Sequence, residues 1–257
     1  MLSFTYLRIL LAMVALGLVS GGMHGWCLPR ALWPLLLRAG LAQTVFQLLL
    51  IAGLRWTTAS NSAILLATAP LLTASWLAAT RQAVLGKRQW AGLVVGFIGV
   101  GFVVQGGGFG LTWGHLGGAL LALGAAGAWA WYGVVIGPLV QALGALRATG
   151  WTMVVAAVCF TPFALGDIYT HAWVSVSWQA WTGLVYGATV GMVMAMALWG
   201  KAIHRFGPQQ TMLYVYLEPV SAVVIAAAVL GEALAPSQAI GALLTFVGVG
   251  LASSQEC

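Results

Sequence analysis

The composition of this chain excludes a water-soluble globular protein. Its 257 residues are 61% hydrophobic and 5% charged, with a formal net charge of +6, and their mean hydropathy is +0.99. So little charge cannot cover the surface of a soluble domain. The apolar runs are continuous over about twenty residues, whereas a membrane β-barrel has alternating strands of about ten residues. The composition therefore predicts an all-α membrane protein.

Nine apolar segments follow one another along the chain, and each predicts a transmembrane helix. They span residues 4–19, 34–54, 60–79, 90–104, 116–137, 149–165, 180–199, 211–230 and 238–252. The longest connection, 167–179, contains Trp173 and Trp178 and resembles an aromatic interface belt. The pattern predicts a polytopic helical bundle with nine transmembrane helices.

The first segment has a second interpretation. Arg8 precedes a short apolar run that ends at Ser20-Gly21-Gly22, which is also the pattern of a cleavable signal peptide. Because a polytopic protein rarely needs one, the transmembrane helix is preferred.

Lysine and arginine fall mainly on one side of the predicted segments. Eight lie around the connections that follow segments one, three, five and seven: Arg30, Arg38, Arg81, Lys87, Arg88, Arg147, Lys201 and Arg205. Only Arg8 and Arg55 fall on the other side. Cytoplasmic connections are enriched in these residues, so we predict a cytoplasmic-membrane protein with its C-terminus inside. Cations scattered in this way form no face for nucleic acid.

One half of the sequence repeats the other under a shift of 149 residues. Pro70 falls on Pro219, Gln89 on Gln238, and the glycines at 92 and 99 fall on those at 241 and 248. Five segments, an odd number, separate the halves, so they face opposite ways, as in the inverted repeats of secondary transporters. We predict repeats over residues 1–106 (four helices) and 114–254 (five helices). The first repeat lacks one helix, so we expect either its loss or a start inside a longer reading frame.

Polar residues within the apolar segments are the first candidates for a solute path. Gln43 and Gln47 lie one turn apart on one helix face, where amides either hold helices together or line a path. Asn61 and Ser62 begin the third segment, where an N-cap role suffices. The glycines at 92, 96, 99, 241 and 248 predict close helix packing or a dimer surface.

The segment at 211–230 carries a carboxylate beside a helix breaker, Glu218-Pro219. A charge at membrane depth costs about 2.5–3.5 kcal/mol on insertion scales and faces a protein interior or a polar cavity. Pro70 and Pro219 predict helix kinks at equivalent points of the repeat. Glu218 is therefore the leading candidate for proton coupling or charge compensation, with a purely structural role as the alternative.

Aromatic residues share helix faces with these polar groups. Tyr214 lies four residues before Glu218, and Trp129 and Tyr132 are three apart on the fifth segment. Such residues are often lipid contacts or packing; if they line the path, they favour amphipathic or aromatic organic solutes.

Two copies of one pattern resemble the EamA family of the drug/metabolite transporter superfamily. The first is GLRWTTASNSAILLATAPLLTASW at 53–76, and the second is YLEPVSAVVIAAAVLGE at 216–232. The most specific part of this resemblance is the pair of motifs Leu217-Glu218-Pro219 and Leu230-Gly231-Glu232. The resemblance implies ten helices in two inverted groups of five, so that the first helix is missing here. The chain also departs at Leu85-Gly86-Lys87, where the family often carries an acidic residue.

These observations predict a secondary transporter that moves a small organic solute or metabolite by alternating access. Export is implied by the resemblance alone. An enzyme is not expected, because only Glu218 of the four acidic residues lies deep in an apolar segment. Cys27, Cys159 and Cys257 lack the spacing of a metal site, so neither a metal nor a cofactor is expected. A degenerate or non-transporting partner subunit is the alternative function, and a homodimer is left open.

Overall fold

The described part of the chain is built from α-helices. The computed structural model describes residues 2–19, 28–57, 59–105, 116–170, 173, 176–230 and 235–253. The helices are α1 (Leu2–Val19), α2 (Trp33–Gly53), α3 (Ala59–Leu66), α4 (Ala69–Ala79), α5 (Lys87–Gln105), α6 (Leu116–Leu143), α7 (Ala145–Thr170), α8 (Trp178–Tyr186), α9 (Ala195–Leu213), α10 (Leu217–Leu230) and α11 (Pro236–Ser253). A π-helical segment, Gly187–Met194, joins α8 to α9, and a 3₁₀ turn, Tyr214–Tyr216, joins α9 to α10. No strand occurs within these ranges, and the predicted all-α class is confirmed.

Seven helical stretches of the described chain are long and apolar enough to cross a membrane. A shorter apolar helix, Leu2–Leu18, precedes them. One of the seven, Trp178–Ile225, has 48 residues, more than twice the length that a bilayer requires. The protein is therefore a multi-pass membrane protein, while the count of nine transmembrane helices is not confirmed.

Several predicted boundaries are wrong. Helix α7 continues to Thr170, so Asp167 lies in its last turn instead of in a connection. Helix α3 begins at Ala59, which places Asn61 inside the first turn and not at the N-cap. The expected third-segment helix is divided into α3 and α4. The motif residues Ser20-Gly21-Gly22, Gly231 and Glu232 lie outside the described residues.

Glycine and proline account for two of the helix breaks. Gly144 adopts φ +79° between α6 and α7, and its N–H donates to the Val140 carbonyl oxygen at 2.9 Å. This is the left-handed helix end that glycine adopts without steric cost. Within α9, Gly207 has φ 80° and ψ 169° before Pro208, because the residue before proline is disfavoured in helical conformation.

The chain divides into two compact units. Unit 1 comprises Met1–Val45 and Val135–Gly207, and unit 2 comprises Phe46–Val134 and Pro208–Cys257. In unit 1, α1 packs against α7, α8 and the π-helical segment. The Ser3 N–H donates to Asp167 Oδ2 at 2.8 Å, and Tyr6 stacks on Phe160. These contacts make α1 part of the packed core of the unit.

In unit 2, α5 and α11 pack closely through glycines. A Cβ added to Gly99 would lie 2.5 Å from the Thr245 nitrogen, and one added to Gly92 would lie 2.7 Å from the Gly248 carbonyl oxygen. Because glycine has no side chain, the two backbones can approach this closely. The predicted glycine face is thus occupied by packing within one chain.

The contacts of α5 with α11 are symmetric under the 149-residue shift. Gly92 faces Gly248, and their repeat counterparts, Gly241 and Gly99, also face each other. A Cβ added to Gly241 would lie 2.7 Å from the Gly99 carbonyl oxygen, the same distance as in the first pair. These two helices are therefore related by an approximate local twofold axis.

The first turns of α5 and α11 are also capped alike. Gln89 Oε1 accepts a hydrogen bond from the Gly86 N–H at 3.0 Å, and Gln238 Oε1 accepts one from the Ala235 N–H at 2.9 Å. A glutamine three residues into a helix that reaches back in this way satisfies an otherwise unpaired donor. The boundaries of the full repeats, 1–106 and 114–254, stay a prediction.

Candidate functional site

Both prolines of the repeat follow a break in helical structure within unit 2. Pro70 lies at the start of α4, after the turn at Ala67-Thr68 that ends α3. Pro219 lies in the first turn of α10, after the 3₁₀ turn Tyr214–Tyr216. Proline lacks the N–H that would continue the helical ladder, so the chain is freest to change direction just before it. The equivalent segments are thus interrupted at equivalent points.

The interrupted segment around Glu218, residues 214–219, presents two candidate side chains on its exposed side. Glu218 is exposed on the protein surface, and Tyr214 is 50% exposed. Tyr216 between them is completely buried. A carboxylate on a membrane helix that does not face its own unit's core needs a polar neighbour or water. This geometry fits a group that contacts a solute path.

Tyr216 holds this segment against α5. Its hydroxyl donates to the Leu93 carbonyl oxygen at 3.0 Å, and its ring lies over Gly96, where a Cβ would come within 2.8 Å of Cδ2. Tyr216 also belongs to a buried core with Ala67 and Leu213. The position of Glu218 therefore rests on a packed tyrosine two residues earlier.

Three aromatic residues form a second group, which we call the α6 aromatic cluster: Phe46, Trp129 and Tyr132. The rings of Trp129 and Tyr132 stack with centroids 5.2 Å apart, and Phe46 lies 4.9 Å from Trp129. Tyr132 is completely buried, and Trp129 is partly exposed. Of the two predicted residues, Trp129 is the one that presents a partly accessible aromatic face.

The α6 aromatic cluster and the Glu218 segment lie on neighbouring elements of unit 2. Gly133, next to Tyr132, contacts the methyl group of Met212. Met212 itself is buried and lies two residues before Tyr214. The helix that carries Trp129 and Tyr132 therefore contacts the end of α9, directly before the segment that carries Tyr214 and Glu218.

The two glutamines of α2 are both buried, with Gln43 2% and Gln47 8% exposed. Gln43 belongs to unit 1, and its Oε1 has no hydrogen-bond partner among the described residues. Gln47 belongs to unit 2, beside Phe46 of the α6 aromatic cluster. A buried amide oxygen without a donor is unfavourable by about 1–3 kcal/mol, so Gln43 fits a polar contact better than simple packing.

Sequence reasoning missed three residues with a part in these arrangements. Phe46 gives no signal because its contact with Trp129 is made across two helices. Tyr216 stands out in the sequence only as a neighbour of Glu218. Arg8 enters the sequence argument for orientation, but it lies inside α1, partly buried, with its Nε unpaired among the described residues and its side chain near Gly187 of the π-helical segment. A charged residue inside an apolar segment is a candidate functional residue, so the apolar sequence around Arg8 was a signal that could have identified it.

No three His, Cys, Asp or Glu side chains of the described chain are grouped closely enough to hold a metal ion. The candidate residues of unit 2 comprise one carboxylate, one amide and several aromatic rings. Such groups can bind and orient an organic solute, and the carboxylate can exchange a proton.

The chain matches the EamA-like transporter family over residues 1–105 and 116–254. It is 30% identical over 210 residues to the uncharacterized transporter YyaM of Bacillus subtilis (strain 168), which covers 81% of this chain and 68% of that protein. An uncharacterized transporter of Archaeoglobus fulgidus is 26% identical over 205 residues; the alignment covers 79% of this chain and 70% of that protein. A solved crystal structure aligns with this chain with a TM-score of 0.83, and the alignment covers 98% of this chain and 86% of the chain in that structure. At 19% identity, that likeness shows the fold alone.

Proposed function

We propose that this chain, which belongs to the EamA-like transporter family of the drug/metabolite transporter superfamily, exports a small organic solute or metabolite across the cytoplasmic membrane by alternating access. Membrane transport is the family's function; the solute, the direction and the coupling are our proposal. The observation that carries it is the exposed carboxylate of Glu218 at an interrupted membrane helix.

Glu218 is the proposed coupling group. A carboxylate at membrane depth is retained against an unfavourable insertion energy. In unit 2 the Glu218 side chain is exposed, whereas Tyr216, two residues earlier, belongs to the buried core. Glu218 can lose a proton to bind a cationic group of the solute, or regain the proton when the solute leaves.

The aromatic residues suggest the solute class. Trp129 and Tyr214 are partly or half exposed and lie on neighbouring elements of unit 2. Aromatic faces bind apolar rings and organic cations. We therefore propose an amphipathic organic solute, with Trp129 and Tyr214 contacting its apolar part and Gln47 supplying a further polar contact. Gln43, in unit 1, stays a separate candidate polar residue.

Replacement of the carboxylate tests this proposal. Cells expressing the unmodified chain, Glu218→Gln, Glu218→Asp or an empty vector would be compared for metabolites that accumulate in the medium. We expect one solute to accumulate with the unmodified chain, about tenfold slower export with Glu218→Gln, and partial export with Glu218→Asp, because only the aspartate can still ionise.

Equal export by the unmodified and Glu218→Gln forms would reject the coupling role and leave the transporter in place. Accumulation inside the cells instead of in the medium would reverse the proposed direction. If the protein were present in the membrane and moved no solute in either direction, the alternative of a non-transporting partner subunit would be favoured.

A further inference from the structure

A cationic cavity of about 720 Å³ lies in unit 1 where the α6–α7 turn meets α9. Its polar side is formed by four side chains: Arg147, Lys201, His204 and Arg205. Its apolar side is formed by Leu143, Ala145 and Leu146, with Gly144 at the turn. The cavity shares no residue with the candidate transport region.

Local packing brings these cations together from two distant stretches of sequence. Gly200 lets α9 approach α7, because a Cβ at this position would lie 3.0 Å from Ala145 Cβ. Gln141 Nε2 donates to the His204 carbonyl oxygen at 3.1 Å, which ties the end of α6 to α9. Lys201 and Arg205 follow Gly200 on α9 and line the same cavity as Arg147.

The residues that line this cavity include no carboxylate. Asp167 lies at the opposite end of α7, about 30 Å along the helix from Arg147 at 1.5 Å per residue, and it accepts a hydrogen bond from Ser3. The N-terminus of α7, a helix of 26 residues that begins at Ala145, also lies at this cavity. The helix dipole places a partial positive charge at that end.

The positive-inside rule alone does not explain why these cations line one cavity. The enrichment of cations on one side of a membrane requires no particular side-chain positions. Here three cations converge on one cavity that also has an apolar wall, whereas Lys87 and Arg88, on the same predicted side, belong to unit 2 and do not line it.

We propose that this cavity binds the phosphate group of an anionic phospholipid. Arg147, Lys201 and Arg205 contact the phosphate, and Leu143, Ala145 and Leu146 contact the glycerol and the start of the acyl chains. Basic cavities between transmembrane helices bind such headgroups on the cytoplasmic side, which is the side predicted for these residues. Inorganic phosphate offers the same charge, but it would gain nothing from the apolar wall.

Native mass spectrometry of the full chain tests the proposal with three probes: phosphatidylglycerol, phosphatidylcholine and inorganic phosphate. We expect phosphatidylglycerol to bind the unmodified chain, and binding to weaken about tenfold or more in Lys201→Gln/Arg205→Gln. Arg147→Gln changes the other wall of the cavity and is expected to weaken binding as well. It provides an independent test if the double variant does not fold.

The matched control is Lys87→Gln/Arg88→Gln, which removes the same charge from the same predicted side outside the cavity. Retained phosphatidylglycerol binding by this control, with loss in both cavity variants, supports the site. Equal binding by control and cavity variants overturns it. Binding of phosphatidylcholine as tight as that of phosphatidylglycerol, or displacement of the lipid by millimolar inorganic phosphate, overturns the assignment to an anionic phospholipid.

Discussion

Tyr214 and Tyr216 are two residues apart and have opposite environments. Tyr216 is completely buried, with its hydroxyl bonded to the Leu93 carbonyl oxygen, and Tyr214 is 50% exposed. Both belong to the 3₁₀ turn between α9 and α10, in which Tyr216 is the buried residue. One tyrosine therefore contributes to stability, and the other is available to a solute.

The pair predicts different effects of the same substitution. We expect Tyr216→Phe to lower the free energy of unfolding by about 1 kcal/mol, because a buried hydrogen bond is lost. Tyr214→Phe should leave stability unchanged, since its ring is half exposed. Titration with a denaturing detergent, followed by circular dichroism, measures both. Equal destabilisation by the two substitutions would contradict the separation of roles.

At the scale of elements, the pairing of α5 with α11 depends on the absence of side chains. Gly248 contacts the backbone of Gly96 so closely that an added methyl group has no space. Gly250, two residues later on the same helix, has nothing within 4 Å of a Cβ. The two glycines differ only in the face of α11 on which they lie.

A methyl group at each position therefore has opposite consequences. Gly248→Ala should lower the free energy of unfolding by about 1–3 kcal/mol, because the helices must move apart. Gly250→Ala should leave it unchanged or raise it by up to about 1 kcal/mol, because alanine favours the helix. The same detergent titration compares them. If Gly248→Ala left the free energy of unfolding unchanged, α5 and α11 would be less closely packed than these distances indicate.

For the whole molecule, the distribution of cations predicts orientation in the membrane. Eight of the ten lysines and arginines fall on one side of the predicted segments. The positive-inside rule acts on the chain during insertion, before tertiary contacts form. Orientation is therefore decided by the sequence near the helix ends.

Reporter fusions test this orientation. Green fluorescent protein fused after Cys257 should be fluorescent, and alkaline phosphatase at the same position should be inactive, because the C-terminus is predicted to be cytoplasmic. Alkaline phosphatase fused after Thr170, on the opposite predicted side, should be active. The reverse pattern at the two positions would invert the predicted topology.

The sequence predicted the fold class and much of the local structure, but only part of the candidate region. Glu218, Tyr214 and Trp129 can be selected from their chemistry and spacing. Helix ends are misplaced where tertiary packing extends a helix, as at Asp167, whose carboxylate accepts a hydrogen bond from Ser3. The contacts of Phe46 with Trp129 and of Tyr216 with Leu93 join separate helices, so no pattern along one helix could reveal them.

The order of residues was enough to predict that the protein is helical and embedded in a membrane, and to show which family it resembles. Hydropathy, proline and glycine positions, and the register of a repeat are properties of the chain that need no contacts. The folded chain was needed to show that Tyr216 is buried while Tyr214 is accessible, and that Arg147, Lys201 and Arg205 line one cavity. These features depend on close packing between residues distant in sequence, which the order of residues does not specify on its own.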